Sequence, residues 1–271
     1  MKPKFLIAAT CMIALFSVNL AYGYYPVSPY AYCMGNPIKF VDPNGEEVWI
    51  HYNNNNGTEE KLLYTGGMSY KGSNSFVSHM VDNLNAVYSN GGDKLLDVLI
   101  ASNNAYAMVD QPPTIEGAGA TIRSHENGGK EISAQMLGAT HDVRTVEGTA
   151  HELMHCVQYE YGQGGQTIFN EVEAYVFGYG VALNYTSSGR EDFFSMTSLG
   201  IDDSAAAAAW ETSFTDLVEN GYSKTAMVDA VCNFKAGAQV NQSGTYSTYP
   251  LIKISPTHSI LFDFWTGKKN K

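Results

Sequence analysis

The stretch H-E-L-M-H at residues 151–155 constrains the fold of this chain more than any other. Residues four apart on an α-helix lie on one face, about 6 Å apart along the axis. A helix through this stretch therefore aims the imidazoles of His151 and His155 at one point, with Glu152 one step round the helix. Two neutral imidazoles suit Zn²⁺, and the adjacent carboxylate suits the general base of a metal-assisted hydrolysis. The motif predicts a zinc-binding helix; a charged surface helix is the alternative.

The residues around the motif predict where this helix begins and which face it buries. Residues 146–148 read as the end of a loop, and Thr149 is a suitable N-cap. An apolar stripe follows, formed by Leu153, Cys156 and Val157. Cys156 points about 100° away from His155 on a helix, so we expect a buried thiol rather than a fourth ligand.

A catalytic zinc site takes three protein ligands and keeps one position open, so a third ligand has to come from another element. Residues 162–165 (G-Q-G-G) interrupt the helical pattern after the motif, and a second helical pattern begins near Thr167. A short break between two helices favours an antiparallel hairpin, in which positions equally far from the break lie side by side. By this count Glu171 and Glu173 both lie level with His155.

The faces of the second helix distinguish these two acids. Small residues follow Glu171 along its face, namely Ala174, Gly178 and Ala182. Small side chains on that face allow the two helices to approach closely, whereas Glu173 shares its face with the bulky Phe177. We therefore predict Glu171 as the third zinc ligand, with Glu173 as the alternative.

The sequence H-E-L-M-H-x-x-Q, followed by N-E-V-E-A-Y, resembles the two-helix zinc site of gluzincin-type peptidases. In that family the first glutamate of the second motif is a zinc ligand, and this position is Glu171 here. The order of the upstream elements is similar to that of zinc metallopeptidases found as toxin modules. Tyr175 stands where many relatives carry an acidic or amide residue that steadies a histidine of the first helix. Asn170 and Gln158 are the alternatives for that role.

Residues 1–23 have the organisation of a secretory signal. Lys2 and Lys4 supply positive charge, an apolar run follows, and the small-x-small sequence A-Y-G ends the segment. The apolar run is short for a membrane-spanning helix of about 20 residues, so we predict cleavage and secretion rather than a membrane anchor. No other stretch is apolar enough to cross a bilayer.

Residues 24–45 are rich in Pro, Gly and Tyr, with turn signals at N-P and D-P-N-G. They resemble the tail of the RHS repeat-associated core, Y-x-Y-x-x-N-N-P-x-x-x-x-D-P-x-G. The positions that match are Tyr30, Tyr32, Asn36, Pro37, Asp42, Pro43 and Gly45. In that family the motif marks the junction with a variable toxin or effector domain. The resemblance implies an effector-type domain over residues 46–271 and a cognate immunity protein as its partner. No repeats precede the motif, so encapsulation and self-cleavage are not carried over.

The remaining patterns predict an α+β fold for residues 46–271. We expect a minimal zincin-like arrangement, with a small mixed or antiparallel sheet packed on the motif helix and on a second, antiparallel helix that carries Glu171. Alternation and turn signals predict strands over residues 47–52, 61–65, 105–110, 121–123 and 131–133. Helical spacing predicts helices over residues 75–90, 94–101, 205–220 and 223–234. Ser75 is a possible cap of the first. The strand over residues 131–133 is a candidate edge for docking an extended peptide, with an ordinary hairpin as the alternative.

Charge and cysteine content exclude several classes of protein. The formal net charge of -11 argues against non-specific binding to nucleic acid and to anionic membranes. Three cysteines remain after the expected signal, namely Cys33, Cys156 and Cys232. An odd number cannot form a fully paired disulfide framework, so the fold does not depend on cysteine cross-links alone.

Together these patterns predict a secreted zinc metalloendopeptidase that acts on protein or peptide substrates. The expected zinc ligands are His151, His155 and Glu171, with water in the fourth position. Glu152 is the expected general base, and the partner of the developing oxyanion stays open between Tyr175, His141 and a hairpin residue. Two other classes stay open: a catalytically idle zincin-like binding or surface protein, and a zinc hydrolase that acts on other acyl or amide bonds.

Overall fold

The computed structural model describes residues 47–115, 118–125, 128–186, 205–221, 223–241, 245–251 and 259–265. All of them belong to the unit Gly45–Lys271. The expected secretory signal, residues 1–23, and the RHS-like tail, residues 24–45, lie outside the described residues, so both stay predictions.

Five strands form one mixed sheet, which confirms the α+β class. The strands are β1 (Glu47–Asn53), β2 (Glu59–Tyr64), β3 (Ala105–Val109), β4 (Thr121–Ser124) and β5 (Lys130–Ser133). Their spatial order is β2-β1-β3-β5-β4. β1, β3 and β5 are parallel, and the outer strands β2 and β4 each run antiparallel to their neighbour.

The hairpin of β4 and β5 places β4 at the edge of the sheet. β5 pairs with β4 on one side and with β3 on the other, where Ile132 lies opposite Met108. Ile132 is almost fully buried, whereas Arg123 and Ser124 of β4 are exposed. The prediction that β5 forms the docking edge is therefore wrong, because a strand paired on both sides has no free row of backbone groups to offer.

Seven helices are described: α1 (Ser75–Val87), α2 (Asp93–Ile100), α3 (Val143–Glu160), α4 (Ile168–Tyr185), α5 (Ala205–Asn220), α6 (Lys224–Asn241) and α7 (Leu261–Phe264). A π-helical turn joins α1 to α2, and a 3₁₀ turn, Thr245–Thr248, follows α6. Asn74, rather than Ser75, caps α1, because its side-chain oxygen accepts from the Val77 N–H at 3.0 Å. In the described part of the chain, none of the helices is long and apolar enough to cross a bilayer.

One face of the sheet packs on the helices and contributes to the core. Its buried side chains are Val48, Ile50, Tyr106, Met108 and Ile132. The carboxyl end of the motif helix α3 is attached to β3 and to the residues just before it. There Glu160 accepts hydrogen bonds from Ser102, Asn104 and Tyr106. Cys156 is fully buried in the core, as expected from its position on α3.

The motif helix α3 begins earlier than the sequence pattern indicates. The Asp142 carboxylate accepts from the backbone N–H groups of Arg144 and Thr145 at 2.9 and 3.1 Å, and the Thr145 hydroxyl accepts from the Asp142 N–H at 3.0 Å. This reciprocal capping satisfies the first free donors of the helix. Thr149 lies inside the helix and donates to the Thr145 carbonyl at 2.6 Å. The predicted loop over residues 146–148 and the predicted cap at Thr149 are therefore wrong.

The helix α4 returns along α3 as an antiparallel hairpin, as the break in the sequence predicted. Gly162 and Gly165 adopt φ values of 70° and 126°, which side chains other than glycine rarely tolerate. Thr167 caps α4, because its hydroxyl accepts from the Asn170 N–H at 3.1 Å. The turn therefore ends α3 sharply and starts α4 at the predicted position.

Gly178 lies at a close contact between α3 and α4. A Cβ at this position would be 2.8 Å from the carbonyl oxygen of Glu147 and 3.3 Å from the Cβ of His151. Contacts of this kind leave no room for a side chain. The prediction that small residues on α4 allow close approach to the motif helix is confirmed at Gly178.

The helices α5 and α6 pack beside α4 through aromatic side chains. Trp210 and Phe214 of α5 are buried, and Phe214 contacts the Tyr179 ring at a centroid distance of 5.1 Å. Phe234 of α6 contacts Tyr175 of α4 at 5.7 Å. These contacts pack α5 and α6 against α4.

Candidate metal centre

Three side chains from α3 and α4 converge on one point. The Nε2 atoms of His151 and His155 are 3.2 Å apart, and they lie 3.6 and 3.5 Å from Oε2 of Glu171. His151 and Glu171 are buried, and His155 is partly buried. Among the described residues, these three form the only group of His, Cys, Asp and Glu side chains that could hold a metal ion.

The spacing of the three atoms matches the shell of a tetrahedrally coordinated ion. Ligand atoms about 2.0–2.2 Å from such an ion lie about 3.3–3.6 Å from one another. The three separations run from 3.2 to 3.6 Å. Two imidazoles and one carboxylate are also a donor set suited to divalent transition metals. The side chains therefore fit a metal ion with little or no movement.

Glu173, the alternative third ligand, lies outside this group. Residues two positions apart on an α-helix are rotated by about 200° around its axis, so Glu171 and Glu173 face nearly opposite directions. The Glu173 carboxylate accepts hydrogen bonds from Gln158, Gln163 and Ser259. Burial raises the pKa of Glu173 to about 7, although these hydrogen bonds act in the opposite direction.

The charges of His155 and Glu171 are strongly coupled. Burial alone would lower the pKa of His155, but the Glu171 carboxylate outweighs burial and raises the pKa to about 9. Burial alone would raise the pKa of Glu171, but the charge of His155 and the neighbouring imidazole of His151 hold it well below its usual range. Because a metal ligand must be deprotonated, metal binding at this site is expected to displace the His155 proton.

Glu152 follows His151 on α3, and its side chain is partly buried. Burial raises the pKa of Glu152; the positive charges of the two histidines oppose this rise, and Glu171 adds to it. A carboxyl group with a raised pKa can accept and return a proton near neutral pH more readily than an ordinary glutamate.

His155 is oriented by an amide on its own helix. Its Nδ1 lies 2.8 Å from Oε1 of Gln158. The Nε2 of Gln158 donates in turn to the backbone carbonyl of Asn170 at 2.8 Å and to Glu173 at 3.0 Å. Of the two residues that sequence reasoning proposed as a support for a histidine, Gln158 makes the contact with its side chain and Asn170 contributes its backbone carbonyl.

His151 is held by packing instead. Its buried Nδ1 has no hydrogen-bond partner among the described residues. The ring packs edge-on against Tyr175, with the ring centroids 4.4 Å apart. Gly178 lets the backbone of α4 approach the Cβ of His151 on the other helix. Shape therefore fixes the position of His151, in contrast to the hydrogen bonds that orient His155.

Tyr246 reaches the same region from the 3₁₀ turn Thr245–Thr248. Its hydroxyl lies 3.0 Å from the Tyr175 hydroxyl. Burial raises the pKa of Tyr246, and the neighbouring Tyr175, Glu171 and Glu152 raise it further. The phenol is therefore protonated over the whole physiological pH range and can donate a hydrogen bond.

Lys235 of α6 fixes the turn that carries Tyr246. Its Nζ donates to the backbone carbonyls of Ser247 and Tyr249 at 2.6 and 2.7 Å. No motif or spacing in the sequence marks Tyr246, because its proximity to the metal centre arises only from the packing of α6 beside α4. It is a residue that sequence reasoning missed.

His141, an oxyanion partner suggested by the sequence, supports the start of α3. Its Nδ1 lies 2.6 Å from the side-chain oxygen of Asn83, and its Nε2 lies 3.1 Å from the Tyr185 hydroxyl. Both ring nitrogens are therefore engaged by residues outside the three-residue group. Of the suggested oxyanion partners, Tyr175 is the one whose ring contacts a histidine of the group.

The chain was compared with protein-family models, with curated proteins and with solved structures, and none of them matches it. The assignment of a function therefore depends on the geometry and chemistry of the metal centre.

Proposed function

We propose that this protein is a secreted, effector-type zinc metallopeptidase of the zincin-like class. The observation that carries the proposal is the convergence of His151, His155 and Glu171 at tetrahedral spacing, with the partly buried Glu152 beside them. Secretion is inferred from residues 1–23, and the effector class from the RHS-like residues 24–45.

The choice of zinc, and of a catalytic rather than a structural site, follows from the donor set. Structural zinc sites are closed by four protein ligands, commonly with several thiolates, whereas catalytic sites use three ligands and leave one position open. The group contains three potential ligands, and no fourth joins it among the described residues. Two histidines and a glutamate on two helices are therefore proposed to hold a catalytic zinc ion.

When bound, zinc would supply Lewis acidity, which lowers the pKa of a coordinated water toward about 7 and polarises a carbonyl oxygen. Glu152 is proposed to accept a proton from the attacking water and to return it to the nitrogen of the leaving amine. Positioned proton transfer of this kind contributes on the order of 10²- to 10⁴-fold to a reaction rate. The position of Glu152 directly after His151 on α3 supports this role, since it places the carboxyl group beside the proposed zinc site.

Tyr246 is proposed as the hydrogen-bond donor to the carbonyl oxygen of the substrate. Its phenol stays protonated, and its position depends on Tyr175 and on the turn held by Lys235. A donor that is fixed before the reaction stabilises the charge that develops on the oxygen. Tyr175 has a supporting role, since its ring packs against His151 and its hydroxyl contacts that of Tyr246.

Peptide bonds are the proposed substrate, and a cognate immunity protein is the partner that the RHS-like tail implies. The net charge of -11 disfavours nucleic acid as a substrate.

The test compares Glu152→Gln with the unaltered protein and with Glu160→Gln, a change of the same kind on the same helix but away from the metal centre. We expect all three proteins to bind one zinc ion per chain. Cleavage of unfolded protein substrates should fall by about 10²-fold or more in Glu152→Gln only. Retained cleavage in that variant would overturn the mechanism. Stoichiometric zinc without peptide cleavage by the unaltered protein would contradict the peptidase assignment and favour an idle zincin-like protein or a different zinc hydrolase.

A further inference from the structure

A buried hydrogen-bond network lies behind the metal centre, between α3, α4 and the segment that leads into α7. Its centre is Glu173, which is fully buried. Three side chains donate to it, from Gln158, Gln163 and Ser259. These donors come from the end of α3, from the turn after it and from a distant part of the chain, so the network joins three separate segments.

We propose that Gln158 is a positioning residue that links this network to the metal centre and holds His155 in the tautomer with its proton on Nδ1. The proposal rests on the proposed zinc site, since it assigns Nε2 of His155 to the metal. It gives Glu173, the alternative ligand in the sequence, a different role, which is to anchor the amide that orients a ligand.

The orientation of the Gln158 amide follows from its partners. Its Nε2 faces the backbone carbonyl of Asn170 at 2.8 Å and the carboxylate of Glu173 at 3.0 Å. A backbone carbonyl can only accept a hydrogen bond, so the amide nitrogen of Gln158 has to lie on this side. A flipped amide would place its oxygen against the Asn170 carbonyl, which cannot donate, in a buried site where unsatisfied polar groups are strongly unfavourable.

The tautomer of His155 follows from the orientation of Gln158. The remaining atom of the amide, Oε1, lies 2.8 Å from Nδ1 of His155 and can only accept. The imidazole therefore has to donate from Nδ1, which leaves the lone pair of the neutral ring on Nε2. That nitrogen is the atom that faces His151 and Glu171. The network thus selects the form of His155 that can bind a metal ion.

This link matters more because His151 lacks an equivalent. Its buried Nδ1 has no hydrogen-bond partner within the described residues, and on that side the ring is held by packing against Tyr175. Partners that fix the tautomer of a metal-binding histidine typically change metal affinity by about 10- to 100-fold. We expect a loss of that size when the link through Gln158 is removed.

The experiment compares Gln158→Met with Gln163→Met. Both glutamines donate to the same oxygen of Glu173, but only Gln158 contacts a histidine. Methionine keeps the length of the side chain and removes its hydrogen bonds. Zinc affinity is measured by competition with a chromophoric chelator at neutral pH, and folding is checked by circular dichroism. We expect zinc binding to weaken by about 10- to 100-fold in Gln158→Met and by less than about threefold in Gln163→Met.

The second measurement reads the tautomer directly and requires no variant. The ¹⁵N shifts of His155 are recorded in the metal-free protein across a pH series that extends to the neutral form of the ring, and again in the zinc-loaded protein. We expect a single form protonated on Nδ1 in both. A dominant Nε2–H form in the metal-free protein would overturn the proposal, even if Gln158→Met fails to fold. Equal zinc affinities of the two methionine variants would overturn it as well.

These readouts are separate from hydrolysis. A protein that binds zinc through an Nδ1-protonated His155 but cleaves no peptide contradicts the proposed function and leaves the role of Gln158 intact. A protein that cleaves peptides normally, and whose Gln158→Met variant binds zinc as tightly as the unaltered protein, contradicts the role of Gln158 alone.

Discussion

The close approach at Gly178 of the two helices that carry the candidate metal ligands leads to a specific prediction for Gly178→Ala. The added Cβ would lie 2.8 Å from the Glu147 carbonyl oxygen and 3.3 Å from the Cβ of His151. Both are atoms of the neighbouring helix that cannot rotate away. The helices must therefore separate by a few tenths of an ångström, and His151 moves with its helix relative to Glu171.

Two opposing effects set the change in the free energy of unfolding caused by Gly178→Ala. Alanine is favoured over glycine in the interior of a helix by about 1 kcal/mol. Forcing an extra carbon into a well-packed interface is unfavourable by about 1–3 kcal/mol. We expect overpacking to prevail, because the contacts are with a backbone and a Cβ, and the net loss of stability to be about 1 kcal/mol. Zinc affinity should fall by about tenfold, since the 3.6 Å separation of His151 and Glu171 would exceed the tetrahedral range.

Gly148→Ala on α3 is the matched control. Its Cβ would meet only the end of the Leu137 side chain, at 2.7 Å, and that group can move. This variant should be as stable as the unaltered protein or slightly more stable, and should bind zinc normally. Urea unfolding of the metal-free proteins and zinc titration are the assays. A Gly178→Ala protein with unchanged stability and unchanged zinc affinity would refute the reasoning.

Three further predictions concern the same centre. In the metal-free protein, pairing with Glu171 raises the pKa of His155 above its ordinary value of 6.5. The stabilisation that this pair gives to the folded state is therefore complete below pH 6.5 and is lost as pH rises through about 9. Urea unfolding should show a fall of at most about 3 kcal/mol over that window, and Glu171→Gln should abolish it; a fall of equal size in that variant would disprove the coupling. Tyr246→Phe should lower kcat by about 10²- to 10³-fold without changing zinc affinity, and an unchanged kcat would exclude the phenol as oxyanion donor. Removal of zinc by a chelator should lower the free energy of unfolding by about 2.7 kcal/mol relative to protein with free zinc at 100 times Kd, and an unshifted melting temperature would show that zinc does not bind the folded state.

The helix pair at the metal centre could be predicted because its signals are local. The four-residue spacing of His151 and His155, the glycine-rich break and the small residues after Glu171 all act within about one helical hairpin. The structure brings together the three side chains that this reasoning selected. The sequence pattern places the start of α3 too late, because Gly148 and Thr149 look like the end of a loop, whereas the capping residues Asp142 and Thr145 lie one to two turns earlier.

The remaining features depend on contacts between distant segments. The position of β5 inside the sheet follows from its pairing with β3, which a hairpin pattern does not reveal. Tyr246 reaches the centre only because α6 packs beside α4 and Lys235 holds the following turn. The sequence leaves Glu173 open as a ligand because height along a helix does not show which partners a buried carboxylate will find.

Zinc K-edge X-ray absorption of the mature protein loaded with zinc tests the central claim most directly. The account predicts one zinc per chain with only nitrogen and oxygen neighbours at about 2.0–2.2 Å, two of them imidazoles, and loss of that shell in Glu171→Ala. A sulfur neighbour at about 2.3 Å, or a protein that takes up no zinc when zinc is offered, would contradict it.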